Sequence, residues 1–196
     1  MAAHPKITIE AWSEKWAEDF RALESVYRTF LGEMISDIHH VGSTSVTGLP
    51  AKPIVDIDLV IEKHELHVPV REKLQELGYE FAGDLGIKDR MVFKRKTEQA
   101  PLDGSGRSWP LHNLYVCHKD NTALHNHLAF RDYLRGSPEK TKEYGELKKK
   151  LAEAHPYDID AYVEKKTSFV IEGLRAKGFS EEMLNSIIEQ NRAIGR

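Results

Sequence analysis

The apolar residues of the first long segment recur with the period of an α-helix. They stand three and four positions apart, which places them along one side of the element. These residues are Trp16, Phe20, Leu23, Tyr27, Phe30 and Leu31. The pattern predicts a helix over residues 13–31 whose apolar side packs in the core.

A second pattern, with a period of two, begins near residue 54. In residues 54–61 the odd-numbered positions are all apolar, whereas Asp56 and Asp58 project from the other face of the predicted strand. Further strands are predicted over residues 35–40, 79–82, 90–96 and 111–117. The helical pattern predicts helices over residues 69–77, 121–135, 138–154, 158–177 and 180–194.

This order of elements predicts an α+β fold. A mixed β-sheet with flanking helices would occupy residues 1–118, and a helical segment would occupy residues 119–196. No flexible linker separates the two halves, so we expect residues 1–196 to form a single domain.

Composition narrows the class of protein without naming its chemistry. The chain has 196 residues, of which 40% are hydrophobic and 30% charged, and its net charge is −3. This balance gives no strong nucleic-acid signal. A single cysteine, Cys117, excludes an internal disulfide framework, and no apolar run suits a signal peptide or a membrane span. We expect a cytoplasmic protein of undetermined oligomeric state.

The two aspartates on one strand face are the sharpest chemical feature. Residues two apart on a strand lie about 6–7 Å apart and project the same way. Carboxylates so placed repel each other unless a cation sits between them, and Mg²⁺ prefers such oxygen ligands. Asp56 and Asp58 could instead lie on a solvated face and bind nothing. The strongly apolar strand around them favours a site, because charges on a central strand need a partner.

A glycine-serine bend precedes this strand. Gly42 lets the backbone approach a phosphate closely, and the hydroxyl groups of Ser43, Thr44 and Ser45 could donate to its oxygens. The segment is not a P-loop, because Gly48 is followed by leucine rather than by Lys-Ser or Lys-Thr. An ordinary turn is the alternative.

Residues 40–58, His-Val-Gly-Ser-Thr-Ser-Val-Thr-Gly-Leu-Pro-Ala-Lys-Pro-Ile-Val-Asp-Ile-Asp, resemble the hallmark segment of the GrpB family (UPF0157). That family is placed in the DNA polymerase β-like nucleotidyltransferase superfamily. The superfamily pattern is hydrophobic-Gly-Ser, a spacer, then Asp-hydrophobic-Asp-hydrophobic. Similar stretches downstream extend the resemblance to about residues 5–175. It implies a nucleotidyltransferase fold in which Asp56 and Asp58 are catalytic and bind Mg²⁺.

The resemblance also implies a third carboxylate on a later strand. The corresponding segment, residues 111–117, contains no acid but includes His112. His112 could act as a general base, since its ordinary pKa lies near 6.5. A buried, hydrogen-bonded histidine is the alternative.

Several basic residues could hold a triphosphate. They are Lys52, Arg90, Lys94, Arg131 and Arg135. Arg131 and Arg135 share one helix face, which suits a phosphate clamp or a solvated face equally. The run Lys148–Lys150 is interpreted as surface. His125 and His127 lie two apart on a predicted helix and point to different sides, and no cysteine cluster supports zinc.

We therefore expect a Mg²⁺-dependent enzyme that transfers a nucleoside monophosphate from a nucleoside triphosphate to a small acceptor. One alternative is a non-catalytic module that binds a nucleotide or metabolite. The resemblance of some family members to an appendage of dephospho-coenzyme A kinase would link that module to coenzyme A metabolism. A third alternative is a partner-binding protein that uses a C-terminal apolar stripe, residues 183–188.

Overall fold

Five strands form one mixed sheet in the computed structural model, which describes residues 5–87 and 89–194. The strands are β1 (Asp37–Val41), β2 (Val55–Ile61), β3 (Tyr79–Phe81), β4 (Arg90–Arg95) and β5 (His112–His118). Their order across the sheet is β1-β2-β5-β4-β3. β2 and β5 are parallel, and the other neighbouring pairs are antiparallel. The predicted α+β class is confirmed.

Six α-helices accompany the sheet within the described residues. They are α1 (Glu14–Leu31), α2 (His67–Glu76), α3 (Thr122–Arg135), α4 (Pro138–Ala154), α5 (Ile159–Ala176) and α6 (Glu181–Ile194). Each predicted element is present, with its ends within two residues of the expected positions. Among the described helices, none has the length and apolarity that a membrane span requires.

The odd-numbered side chains of β2 face the main core, as the period of two predicts. Ile57 and Leu59 are fully buried there with Leu23 and Tyr27 of α1 and Leu74 of α2. The even-numbered face of β2 is turned away from this core. Asp58 therefore contacts His127 of α3, and Asp56 contacts Asn113 of β5, rather than side chains of α1 and α2.

The C-terminal apolar stripe is covered by the chain itself. Leu184 and Ile187 of α6 are buried against Ile171 and Leu174 of α5. These contacts remove the main surface on which a partner-binding role was based. The single-domain organisation over residues 1–196 stays a prediction.

Candidate functional site

Strand register places the glycine-serine bend beside the first aspartate. In the antiparallel pair of β1 and β2, Val41 stands opposite Asp56, so the bend begins one residue later at Gly42. Gly42 has φ +67°, which side chains other than glycine rarely adopt. A Cβ atom at this position would overlap the Asp56 carboxylate. The sequence thus requires glycine for two reasons, backbone conformation and close approach.

The hydroxyl groups of the bend have separate tasks. Ser45 Oγ donates to the Gly42 carbonyl at 2.6 Å, and Thr44 Oγ1 donates to the Ile54 carbonyl at 3.2 Å. Both residues are buried and hold the shape of the bend. Ser43 is partly exposed and lines the adjoining cleft. Of the three predicted phosphate-binding hydroxyls, Ser43 is the one that lines the cleft.

Asp56 lies at the edge of the cleft with a neutral partner. The side-chain amide of Asn113 on β5 donates to Asp56 Oδ1 at 2.7 Å, and the two residues are in register across the parallel pair. Burial raises the pKa of the Asp56 carboxyl, although the Asn113 hydrogen bond and the His127 charge act in the opposite direction. The strand expected to carry a third acid thus contributes an amide, Asn113, that supports the first acid.

Asp58 is fully buried behind His127. His127 Nδ1 of α3 lies 2.8 Å from Asp58 Oδ2. Desolvation lowers the pKa of His127, but the charge and hydrogen bond of Asp58 outweigh it and raise that pKa overall. The second oxygen, Asp58 Oδ1, has no hydrogen-bond partner in the described part of the chain. A buried carboxylate oxygen left in this way costs free energy unless a ligand satisfies it.

The cleft beside Asp56 is formed by the sheet on one side and the helices on the other. Among the residues that line it are Gly42, Ser43, Lys52, Asp56, Arg90, Asn113, Asn126, His127, Arg131, Tyr144, Lys148, Tyr162 and Lys166. They come from the bend, three strands or strand-flanking loops, and helices α3, α4 and α5. The sheet half and the helical half of the chain therefore meet at one cleft.

Three of the predicted basic residues face this cleft. Lys52 Nζ lies 5.8 Å from the ring centroid of Tyr162, and Arg90 is buried with its guanidinium 4.9 Å from that of Tyr115. Arg131 donates to the His40 carbonyl at 3.2 Å while also lining the cleft. These side chains could neutralise an anionic ligand.

The other two predicted basic residues lie elsewhere. Lys94 is exposed on β4 and does not line the cleft. Arg135 donates to the Ser45 carbonyl at 2.7 and 3.2 Å and lines a separate groove. Arg131 and Arg135 are consequently not presented to one phosphate, although they share a helix face.

His112 stands on the opposite face of the sheet from the aspartates. It pairs in register with Val55, and its ring is buried in the core. His112 Nε2 lies 2.6 Å from the Tyr79 hydroxyl, and Nδ1 lies 2.8 Å from the Pro110 carbonyl. Burial lowers the pKa of His112 to about 4. The structure corrects the predicted base: His112 does not join Asp56, and the alternative of a buried, hydrogen-bonded histidine is the one observed.

A family model described as GrpB protein matches residues 6–176. The chain belongs to the GrpB family. The UPF0157 protein YqkA from Bacillus subtilis (strain 168) is 35% identical over 165 residues, which make up 84% of this chain and 45% of YqkA. This chain therefore spans less than half the length of that relative.

Solved structures agree with the GrpB assignment and extend it to the fold. The conserved protein GrpB from Enterococcus faecalis matches with a TM-score of 0.73 and 31% identity, over 92% of this chain and 99% of that one. The Cid1 poly(U) polymerase in a MgGTP-bound structure matches with a TM-score of 0.50 and 19% identity, over 74% of this chain and 44% of that one. The GrpB chain thus has a nucleotidyltransferase-type fold.

The cleft carries oxygen atoms of the kind that divalent cations prefer. They belong to the Asp56 carboxylate and to the unpartnered Oδ1 of Asp58, on one strand face. The described residues contain no group of three or more His, Cys, Asp or Glu side chains that could hold a metal by themselves. Mg²⁺ commonly completes its shell with water and phosphate oxygens, so two carboxylates fit its chemistry when a nucleotide is present.

Sequence reasoning missed four side chains of this site: Asn113, His127, Lys148 and Lys166. Asn113 carried a usable signal, because it has the opposite parity to Leu114 in its strand and so faces away from the core. The other three lie on helices, and only the packing of α3, α4 and α5 brings them to the cleft. The interpretation of Lys148 as a surface residue is wrong, since its side chain is buried.

Proposed function

We propose that this GrpB-family protein is a Mg²⁺-dependent nucleotidyltransferase that moves a nucleoside monophosphate from a nucleoside triphosphate to a small acceptor. The observation that carries the proposal is the buried Asp58 Oδ1, which has no partner within the described residues and lies on the same strand face as Asp56. Gly42 supports it by bringing the backbone against Asp56. The MgGTP-bound structure of Cid1 shows the same type of fold with a magnesium nucleotide.

In this proposal Asp56 and Asp58 hold the cation, with His127 fixing the orientation of Asp58 through Oδ2. A bound Mg²⁺ would supply charge neutralisation to the phosphates. Ser43 and the backbone of the bend donate to the β- and γ-phosphates. Lys52 and the arginines of the cleft, Arg90 and Arg131, stabilise the charge that develops as an acceptor oxygen attacks the α-phosphorus.

A small acceptor suits the charge of the protein. The chain carries a net charge of −3, whereas binding a long polynucleotide depends on many phosphate contacts by Lys and Arg. The basic residues at the site are few and lie inside the cleft. Their position inside the cleft favours one anionic ligand over a nucleic-acid backbone.

The decisive experiment removes the two charges on the strand face. In a calorimetric titration with Mg²⁺ and a non-hydrolysable nucleoside triphosphate, the double variant Asp56→Asn/Asp58→Asn should lose binding because both proposed metal ligands are neutralised. Glu153→Gln/Asp160→Asn is the charge-matched control, since both side chains are exposed. Wild-type affinity in the first variant would end the proposal.

A non-catalytic binding module is the second candidate. The strand expected to carry a third acid contributes Asn113 instead, and His127 already places a counter-charge against Asp58. Incubation with labelled nucleoside triphosphates and a panel of small metabolites separates the two functions. Pyrophosphate release that depends on an acceptor supports the transferase, whereas binding without release in every mixture supports the module.

A further inference from the structure

Three lysines from different elements converge at the helical side of the cleft. Lys52 precedes β2, Lys148 lies on α4 and Lys166 lies on α5, and all three line the cleft that contains Asp56. We call this group the lysine cluster. Its members are far apart in the sequence, so only the packing of the helical half on the sheet assembles them.

Lys148 is the most constrained member of the lysine cluster. Its side chain is only 2% exposed, and its Nζ has no hydrogen-bond partner among residues 5–87 and 89–194. The nearest compensation is the ring of Tyr144, whose centroid lies 5.0 Å from Nζ. Burial of an ammonium group without a counter-ion is strongly unfavourable, so this position costs the folded protein stability.

Among the described residues, the other two lysines also lack an anionic partner at contact distance. Lys52 Nζ and Lys166 Nζ lie 5.8 and 4.6 Å from the ring centroid of Tyr162. A cation–π contact is worth about 1–2 kcal/mol, which does not replace an ion pair for a desolvated charge. Burial lowers the pKa of Lys148 to about 6 and that of Lys166 to about 8. At neutral pH Lys148 therefore gives up its proton when no anion is bound.

Asp56 connects the lysine cluster to the proposed reaction centre. Its negative charge raises the pKa of each of the three lysines, against the larger lowering by burial. The carboxylate is thus close enough to interact with all of them, yet it forms no direct ion pair with any within the described residues. A multivalent anion between these groups would satisfy three cations at once.

We propose that Lys52, Lys148 and Lys166 form an oxyanion subsite that binds a polyphosphate group. The inference rests on the proposed function in one respect, because it takes the anion to be part of a ligand bound across the same cleft. The phosphates can belong to the nucleotide itself or to a phosphorylated acceptor. Both sources share the chemistry that three ammonium groups recognise.

Inorganic triphosphate is the probe that tests the subsite, in a calorimetric titration with a chelator present to exclude divalent metal. Lys148→Met should weaken binding at least tenfold, because the buried ammonium contacts the anion directly. Lys149→Met is the matched control on the same helix, since Lys149 is exposed and pairs with Glu146. Equal affinity in Lys148→Met and wild type, or no binding to wild type, overturns the proposal.

Two further measurements show whether Lys148→Met is folded and whether the lost charge causes its weaker binding of triphosphate. Its Tm should rise by about 3 °C or more, because a buried amine without a hydrogen-bond partner is replaced by an apolar chain of similar length. Titration in two buffers of different ionisation enthalpy should show uptake of about one proton by the wild type and less by the variant. Proton uptake equal in both proteins contradicts the assignment of Lys148.

Two last measurements identify the source of the phosphates and test the subsite independently of the proposed function. Triphosphate that competes with a Mg²⁺-bound nucleotide analogue assigns the subsite to the nucleotide, and simultaneous binding assigns it to a phosphorylated acceptor. Asp56→Asn/Asp58→Asn should retain metal-free triphosphate binding, because the lysines are intact and a repelling charge is gone. Failure of the transferase proposal would therefore leave this binding unchanged.

Discussion

The two faces of the central strand pair β2–β5 differ in whether their buried polar atoms have hydrogen-bond partners. On the core face, both ring nitrogens of His112 have partners, the Tyr79 hydroxyl and the Pro110 carbonyl. Around the cleft face, four buried side-chain atoms have no hydrogen-bond partner within the described residues. They are Asp58 Oδ1, Arg90 Nε, Asn126 Oδ1 and Lys148 Nζ.

This contrast indicates where the fold gives up stability for a site. Folded proteins satisfy nearly all of their buried polar atoms, so a concentration of unsatisfied atoms favours the proposed binding site over poor packing. Both signs of charge are among them, a carboxylate oxygen and a guanidinium nitrogen. A cation together with an anionic ligand, such as a magnesium nucleotide, would supply partners for both.

The largest effect on stability is expected on the core face. Ile57→Ala should lower the free energy of unfolding by about 2–5 kcal/mol, because it opens a cavity at a fully buried position. Urea denaturation measures the loss, and Mg²⁺-nucleotide titration of the still folded protein should give the wild-type affinity. Leu111→Ala, at a position that is 51% exposed, is the control and should change stability by about 0.5 kcal/mol or less. A similar loss in both variants would contradict the assignment of faces.

Low pH should destabilise the folded protein through His112, which also lies on the core face. Burial lowers the pKa of His112 to about 4, so His112 stays neutral in the folded protein while the unfolded chain takes up a proton near pH 6.5. Its stabilising contribution is therefore complete above pH 6.5 and is lost as the pH falls towards 4, by about 3 kcal/mol in total. Urea denaturation at several pH values should give a shallower acid dependence for His112→Gln than for the wild type.

The comparison with the variant isolates His112 from a second histidine of the same kind. Burial also lowers the pKa of His40, to about 3, and this residue adds to the acid dependence of both proteins. The difference between the two curves is the quantity that reports His112. Parallel curves would show that its ring is not held neutral by the core.

The sequence predicted the elements well because periodicity is a local property. The strands and helices follow from local signals, which are the spacing of apolar residues and the Gly, Pro and capping residues between elements. The proximity of Gly42 to Asp56 follows from the family pattern. The prediction for His112 was wrong because it rested on the chemistry of the imidazole ring rather than on the alternation of side chains between the two faces of the strand. His112 has the parity of the apolar Leu114 and Val116, which already places it on the core face.

The remaining parts of the site depend on tertiary packing. His127 and Lys148 lie on helices whose polar residues occur on several sides, so their spacing does not show which side meets the sheet. Lys148 is the clearest case, since lysine is almost never fully buried without a partner. The residue type therefore predicts a surface position for Lys148, whereas in the structure its side chain is only 2% exposed.

The smallest expected difference concerns the glycine bend of the cleft face, and it can be isolated with a matched pair of variants. Gly42 and Gly48 both have positive φ, so alanine at either position should cost about 1–2 kcal/mol in backbone strain. A Cβ at Gly48 meets nothing within 4 Å, whereas one at Gly42 overlaps the Asp56 carboxylate. Gly42→Ala should therefore be the less stable variant by about 1 kcal/mol, the order of cost of a strained core insertion.

Ligand binding separates this pair more clearly than stability does. Alanine at position 42 should push the Asp56 carboxylate away from Asn113 and out of line with Asp58, so Mg²⁺-nucleotide affinity should fall about tenfold or more, which corresponds to about 1.4 kcal/mol. Gly48→Ala should bind as the wild type does, because it leaves that carboxylate in place. Equal binding by both variants would mean that ligand binding does not need the close approach of the bend to Asp56. The positive φ of Gly42 would then have only a structural reason.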